Sequence, residues 1–556
     1  MNEPPLSTRA WALGLFALLV AVHGVILVND GVYWDGWLFF TQLVEGRWDI
    51  MRETFFSMGN PAAYYMHRVV SGTTGGVLGY RLWTFAGIGA SALLAARLLS
   101  KAELLTRGQI GFVAAIVIVF PTFNISTLDL AISLYGLFWT LFLVGGVLGV
   151  EGEVSASRPK AVALRVAAHV AFFCSFWIKS FLVVYFAWLA LLALVSLKKR
   201  DERPSPGALA SFAVRHVDYL ASPFAFWIFA KLAFPLRGPS ADFTTYNQIS
   251  FSPSVVLDAL LMFFTTSFVR LPNAILTHLF ATPIVLVAVA IAGALVAARF
   301  AREVEARLGP DTRAPKVLLV GLVLFVMGAF PYAAVGKAPT VAGWDTRHGL
   351  LVVIPTGILL VGLAQLLVER DALPRRVVAA GLFAIVVTCG YTTWSSHIEW
   401  QARWAKDRAF MLRLSESADA KATSVFELED RFPLGGESSY RFYELASIFK
   451  RVWGDESRIG YDVSATTYEK TLEHRALFTS MYNLGALDLE GCRSRLIMKQ
   501  GPRRLSHISL AARYTAYRLL APSRLDALLR DVVEIEVVPA GGGSHCRRVA
   551  PGGAPL

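Results

Sequence analysis

The sequence predicts a polytopic α-helical membrane protein of about eleven transmembrane helices, followed by a small C-terminal domain of mixed α/β or uncertain structure. Three observations predict it. The chain of 556 residues is 55% hydrophobic and only 17% charged, with a mean hydropathy of +0.51. Soluble domains carry about 25% charged residues, so one large soluble enzyme is excluded, and a disordered chain needs the opposite balance. The apolar residues also gather into runs of about 20, the length that crosses a bilayer. Residues 396–556 contain no such run and mix charges of both signs.

The first run, Trp11–Val28, follows Arg9 and precedes no small-residue cleavage site, so it reads as a retained first helix. Further runs lie at Leu82–Leu99, Ile110–Phe123, Leu130–Val150, Val162–Ile178, Phe181–Leu197, Val214–Phe234, Leu279–Ala298, Val317–Val335, Leu350–Val368 and Val377–Trp394. Lys and Arg concentrate in loops on the cytoplasmic side of a membrane. Here they cluster at Arg97–Arg107, Lys198–Arg203, Arg299–Lys316 and Arg370–Arg376. All four fall on one side if the N-terminus is cytoplasmic. The segment Ser252–Arg270 is apolar enough to span, but counting it would move the Arg299–Lys316 cluster outside. It is therefore expected as an interfacial or re-entrant helix, with Asp258 and Arg270 at its ends.

This layout gives a membrane domain, 1–395, and an extracytoplasmic domain, 396–556. Outer pieces of the first are a loop at 29–80, a loop with the interfacial helix at 235–270, and a basic loop at 337–349. The expected location is a bacterial cytoplasmic (inner) membrane. Four cysteines show no CxxC or Cys/His spacing, which excludes a disulfide scaffold and gives no metal motif. Cys174 and Cys389 lie in apolar runs. Cys492 and Cys546 would face an oxidising compartment, free to pair, although two unpaired thiols fit the spacing equally.

The net charge of +12 does not point to nucleic acid, because the basic clusters are split among loops and no binding motif accompanies them. Candidate chemistry lies elsewhere. The first outer loop begins VNDGVYWDGWLFF, placing Asp30 and Asp35 among Tyr33, Trp34 and Trp37, with Glu45, Trp48 and Asp49 following. Aromatic residues at a membrane interface and Asp helix caps are the plain reading. The chemical reading is a carboxylate held at the surface as a general base. Lys179, in SFWIKSFLVVYF, either snorkels to the interface or faces an anionic head group.

The loop KAPTVAGWDTRHG, Lys337–Gly349, breaks the positive-inside pattern with Lys337, Arg347 and His348 beside Trp344 and Asp345. An arginine fork fits phosphate oxygens, and a charged His adds a donor. An Arg347–Asp345 surface pair is the alternative. Asp129, Asp242 and Tyr246 either line a cavity or are ordinary loop residues, the plainer reading, and His23 and His169 read as hydrogen-bonded core histidines.

In this layout the chain resembles the GT-C superfamily of integral membrane glycosyltransferases, over residues 1–395. The resemblance rests on NDGVYWDGW after the first span, on Ser252–Arg270, and on PYAAVGKAPTVAGWDTRHGLLVVIP before a late span. It implies transfer of a sugar from a polyprenyl-phosphate donor to a glycan, lipid or protein acceptor on the outer face. It implies Asp35 as the catalytic aspartate, with Asp30 in reserve, and lipid-phosphate contacts from Lys337 and Arg347, joined by Lys179. Asp35 is followed by Gly36, so the Asp-Glu pair of protein mannosyltransferases is absent, as is the WWDxG motif of oligosaccharyltransferases. No cofactor is implied with certainty, and a divalent metal is possible without being indicated. A lipid-linked glycan flippase or transporter is the rival from another class. The ionisable residues collect at outer ends and no repeat is visible, which favours an enzyme. A surface-polysaccharide polymerase or ligase and a non-catalytic scaffold are further alternatives.

Overall fold

The apolar runs become helices wherever the chain is described. In this computed structural model those residues are 8–121, 127–237, 248–250, 252–280, 314–432, 434, 439–467, 469–471, 487 and 492–539. The expected run at 279–298, the basic residues Arg299 to Arg313, and Asp242, Tyr246 and Cys546 fall outside them, save the first two positions of that run. Every other expected run coincides with a helix. In order these are α1 (Thr8–His23), α2 (Gly36–Val44), α3 (Trp48–Ser57), α4 (Pro61–Thr74), α5 (Val77–Ala102), α6 (Arg107–Val119), α7 (Ser133–Val154), α8 (Arg158–Ser175), α9 (Phe181–Lys199), α10 (Pro206–Arg215), α11 (Val217–Ala233), α12 (Pro253–Thr265), α13 (Leu271–Phe280), α14 (Ala314–Ala333), α15 (Val353–Glu369) and α16 (Arg375–Glu416). Among the described residues eight helices are long and apolar enough to cross a membrane, and the protein is a multi-pass membrane protein. Such segments stay helical because a bilayer offers backbone groups no water.

The bundle packs closely where small residues meet aromatic ones. Trp188 of α9 donates to Gly146 O of α7 at 3.0 Å. A Cβ on Gly149 would lie 2.5 Å from the same indole, so this approach needs glycine. His23 bonds Ile118 O at 2.7 Å and His397 at 3.0 Å, and His169 bonds Asp218.

α12 continues through a π-helical turn, Thr266–Arg270, into α13. The stretch Pro253–Thr277 is itself long and apolar enough to span. Its contacts follow one end of the bundle. Ser250 N–H donates to Ala334 O just past α14, Thr266 Oγ1 donates to Pro339 O, and Leu271 and Ile275 join a buried cluster with Phe120 and Val353.

The boundary expected at residue 395 falls inside a helix. α16 runs unbroken for 42 residues, about 63 Å at 1.5 Å per residue. Its first half is the last apolar run, and its second half is the spine of the C-terminal domain. There Ala402, Ala405, Ala409 and Phe410 are buried against the sheet and its helices. That domain is mixed α/β. Strands β1 (Val425–Asp430), β2 (Ile459–Asp462), β3 (Arg493–Gln500) and β4 (Val533–Pro539) are ordered β2-β1-β3-β4. β1 pairs in parallel with β2 and β3, and β3 pairs antiparallel with β4. Helices α17 (Phe442–Trp453), α18 (His507–Leu520) and α19 (Leu525–Val532) cover it. Cys492, at the start of β3, is disulfide-bonded, and Cys174 and Cys389 are free.

Candidate active site

The first loop is shaped from its own residues outward. Asn29 Oδ1 accepts Gly31 N–H at 2.8 Å and the Tyr33 hydroxyl at 3.1 Å, which folds the chain into a tight turn. A Cβ on Gly31 would sit 2.1 Å from the Tyr33 hydroxyl, so the turn requires glycine. Tyr33 also donates to Trp400 O at 2.7 Å on α16. Below it, the fully buried Arg81 of α5 donates to the carbonyls of Asn29, Gly31, Thr127 and Leu128. One guanidinium thus ties two loops together: the one before α2 and the one before α7.

Each loop ends in an acid. Asp129 is fully buried. Its Oδ1 accepts the N–H groups of Ala131 and Ile132, and its Oδ2 accepts Gly36 N–H at 3.0 Å. Asp35 precedes that same Gly36 and is half-buried. Burial raises the Asp35 carboxyl above the ordinary carboxylate range, although the Tyr443 hydroxyl, Arg441 and Arg347 oppose the shift. Burial and the nearby charge of Asp35 push Asp129 up to about 8, against the pull of its backbone donors. The charge of Asp35 thus makes ionisation of Asp129 harder.

The C-terminal domain closes over this pair. Tyr443, in the first turn of α17, donates to Asp35 Oδ1 at 2.5 Å. Its neighbour Glu444 accepts the N–H of Trp34 at 2.9 Å and that of Arg441 at 2.9 Å. Burial pushes Glu444 up to about 7, with Arg403 holding it down. Trp34 itself is 1% exposed and has φ +43°, a strained conformation for a bulky residue. Its ring packs edge-on against Trp344 and Trp400, at 5.8 and 4.7 Å between centroids.

The cations come from the loop before α15. The segment Trp344–Val352 is a 3₁₀ helix, and Arg347 within it is buried. The guanidinium lies 4.5 Å over the Trp344 ring and 3.6 Å from Asp345. Arg347 also acts on Asp35 through space. Lys337 is half-buried, and burial together with Arg347 lowers it to about 8. His348 bonds Ala338 O at 3.3 Å, with its ring 5.0 Å from that of Tyr332. A small, mostly apolar cavity of about 50 Å³ reaches Thr127 and Ser133, on either side of Asp129. It continues between α1, α5, α6, α7 and α15 past His23, Thr84, Trp139 and Leu350.

The structure thus gathers Trp34, Asp35, Lys337, Trp344 and Arg347 at one place, with His348 packed behind. Tyr33 is a fully buried brace. Asp30 faces away from that group: Arg518 of α18 pairs with it at 3.1 Å, and Tyr514 donates to it. Lys179 is exposed in the turn between α8 and α9, where its charge meets that of Lys231. Sequence reasoning missed four residues. Asp129 read as a loop acid, and nothing singled out Arg81, Tyr443 or Glu444. Among the described residues no group of three or more His, Cys, Asp or Glu is placed to hold a metal ion.

No protein-family model and no curated protein matches the chain. Two solved structures are similar to it. One is the apo oligosaccharyltransferase of Archaeoglobus fulgidus, 12% identical with a TM-score of 0.38, covering 89% of this chain and 70% of that one. The other is ArnT from Cupriavidus metallidurans bound to undecaprenyl phosphate, 14% identical with a TM-score of 0.38, covering 93% and 95%. Overlap this partial says nothing about substrate.

Proposed function

We propose that the protein is a GT-C-type glycosyltransferase that moves a hexosyl or pentosyl group from a polyprenyl-phosphate donor to a glycan, lipid or protein acceptor. The observation that carries this reading is one juxtaposition. A half-buried carboxyl, raised above its ordinary range, stands within the field of a buried arginine that is stacked on Trp344.

Each part suits one step. A groove between spans takes the polyprenyl chain. Arg347 and Lys337 bind the donor phosphate and stabilise the charge it gains as the bond to the anomeric carbon breaks. Stacking on Trp344 holds the guanidinium in place before the donor arrives. Asp35 removes the proton of the acceptor hydroxyl as the new glycosidic bond forms. A raised carboxyl is a better base near neutral pH than an ordinary one. Trp34 and Trp344 wall the sugar pocket, and Tyr33 fixes their loop. His348 shapes the basic loop, and Lys179 meets head groups at the membrane surface. Asp30, already paired with Arg518, leaves Asp35 as the base. The reacting face is the outer one of a bacterial cytoplasmic membrane, with the N-terminus cytoplasmic and residues 396–556 extracytoplasmic. The helix Pro253–Phe280 lies along that face.

Binding of undecaprenyl phosphate to the purified protein tests the cation assignment. The intact protein binds it, and Arg347→Gln weakens the affinity by roughly tenfold or more, the effect of losing a charge-assisted pair. Equal affinity in the variant removes Arg347 from the site.

A further inference from the structure

The C-terminal domain does more than cover the membrane part. Its helix α17 begins against the first loop, and two consecutive side chains there reach the Asp35 segment. Tyr443 donates its hydroxyl to Asp35 Oδ1 at 2.5 Å, and Glu444 accepts the N–H of Trp34, the residue before Asp35. Both side chains are held from behind. Tyr443 is 4% exposed in a cluster with Leu38, Phe442, Val425 and Ile459, and Glu444 caps its own helix through the N–H of Arg441. The contact is long-range, with 408 residues between Tyr443 and Asp35. The strained Trp34 backbone is pinned by the same helix, so the direction of the Asp35 carboxyl depends on where α17 sits.

We infer that the C-terminal domain supplies part of the active site, with Tyr443 as the positioning residue that aims the Asp35 carboxylate and stabilises its charged form, and Glu444 as the lock on the preceding peptide. This rests on Asp35 being the base. A hydroxyl donating to a carboxylate favours ionisation, so Tyr443 keeps Asp35 a usable base despite burial. The other groups facing Asp35 are Arg441 at the start of α17, Arg347 on the 3₁₀ helix and Asp129 before α7. Tyr443 donates directly to Asp35 Oδ1 and belongs to the C-terminal domain.

The test is an infrared titration of the full-length protein, ¹³C-labelled at aspartate, in detergent micelles. The Asp35 carboxyl band is the one lost in Asp35→Asn. In Tyr443→Phe, which keeps the ring, its midpoint rises by about one pH unit, the size expected for losing one hydrogen bond to a charged group. With 3-fluorotyrosine at 443, a stronger donor of the same shape, the midpoint falls. This second arm stands even if the Phe variant folds poorly. A midpoint unmoved by the fluorinated residue overturns the inference. Transfer activity is a separate readout: an active Asp35→Asn protein removes Asp35 as the base and leaves the Tyr443 result intact.

Discussion

Two clusters of buried charge lie close together in this protein and are built on different plans. The first sits where α16 enters the C-terminal domain. Arg403 pairs with Asp407 at 3.0 Å, Lys406 pairs with Asp430 and donates to Phe432 O, and the Tyr440 hydroxyl donates to Asp407. Two cations meet two anions, and the Arg403 guanidinium stacks 3.9 Å over the Tyr440 ring. The second cluster is the candidate site. It sets Asp35 near Asp129 and Arg347 near Lys337, while Arg347 also faces Asp345 and acts on Asp35. A balanced buried cluster stabilises one arrangement of the chain. A cluster that also crowds like charges perturbs its own ionisation and is suited to chemistry. Burial lowers Lys406 to about 8 just as it lowers Lys337, so neither burial nor a shifted ionisation alone marks function.

The largest expected effect breaks the first cluster. Lys406→Met leaves Asp430 without its buried cation and lowers stability by about 3 kcal/mol or more. Thermal unfolding of the purified variant checks it, and an unchanged melting temperature contradicts the structural role. Asp35→Asn behaves the other way, with melting within a few degrees of the parent and activity lost.

A second prediction tests the fork of Arg347. Arg347→Lys keeps the charge but loses the stacked, planar donor, so the KM for a lipid-phosphate donor rises by roughly tenfold. A conserved KM makes Arg347 a plain charge. A third concerns pH. Lys337, lowered to about 8, is a cation below that pH and loses its charge above it. Transfer and lipid-phosphate binding then decline as pH rises through about 8, and Lys337→Arg removes that decline because arginine stays charged. The acidic side falls as Asp35 is protonated, above the ordinary carboxylate range. The smallest effect is at Asp30. Its pair with Arg518 is partly exposed, so Arg518→Met costs about 1 kcal/mol or less and leaves transfer intact.

What the sequence showed, and what it hid, follows from distance along the chain. Apolar runs of spanning length are local, so the helices were legible. Asp35 and Arg347 stood out in the sequence because both lie in outer loops beside aromatic residues where charge is unexpected. Asp129 was hidden because its importance depends on Arg81, which lies early in α5 and looks like any arginine near a helix end. Tyr443 and Glu444 were hidden because nothing in a polar tail says which helix folds back onto a loop hundreds of residues away. Hydropathy falls near residue 395, while the helix that crosses that point does not stop until Glu416.

The central claim is that Asp35 is the base of a lipid-linked sugar transferase. It is tested most directly by single-turnover transfer from a radiolabelled undecaprenyl-phosphate sugar, comparing the purified parent with Asp35→Asn at equal folded fraction. The account predicts transfer by the parent and a loss of about 10²–10⁴-fold in the variant, the usual contribution of a general base. Transfer at the parent's rate by the variant would contradict it.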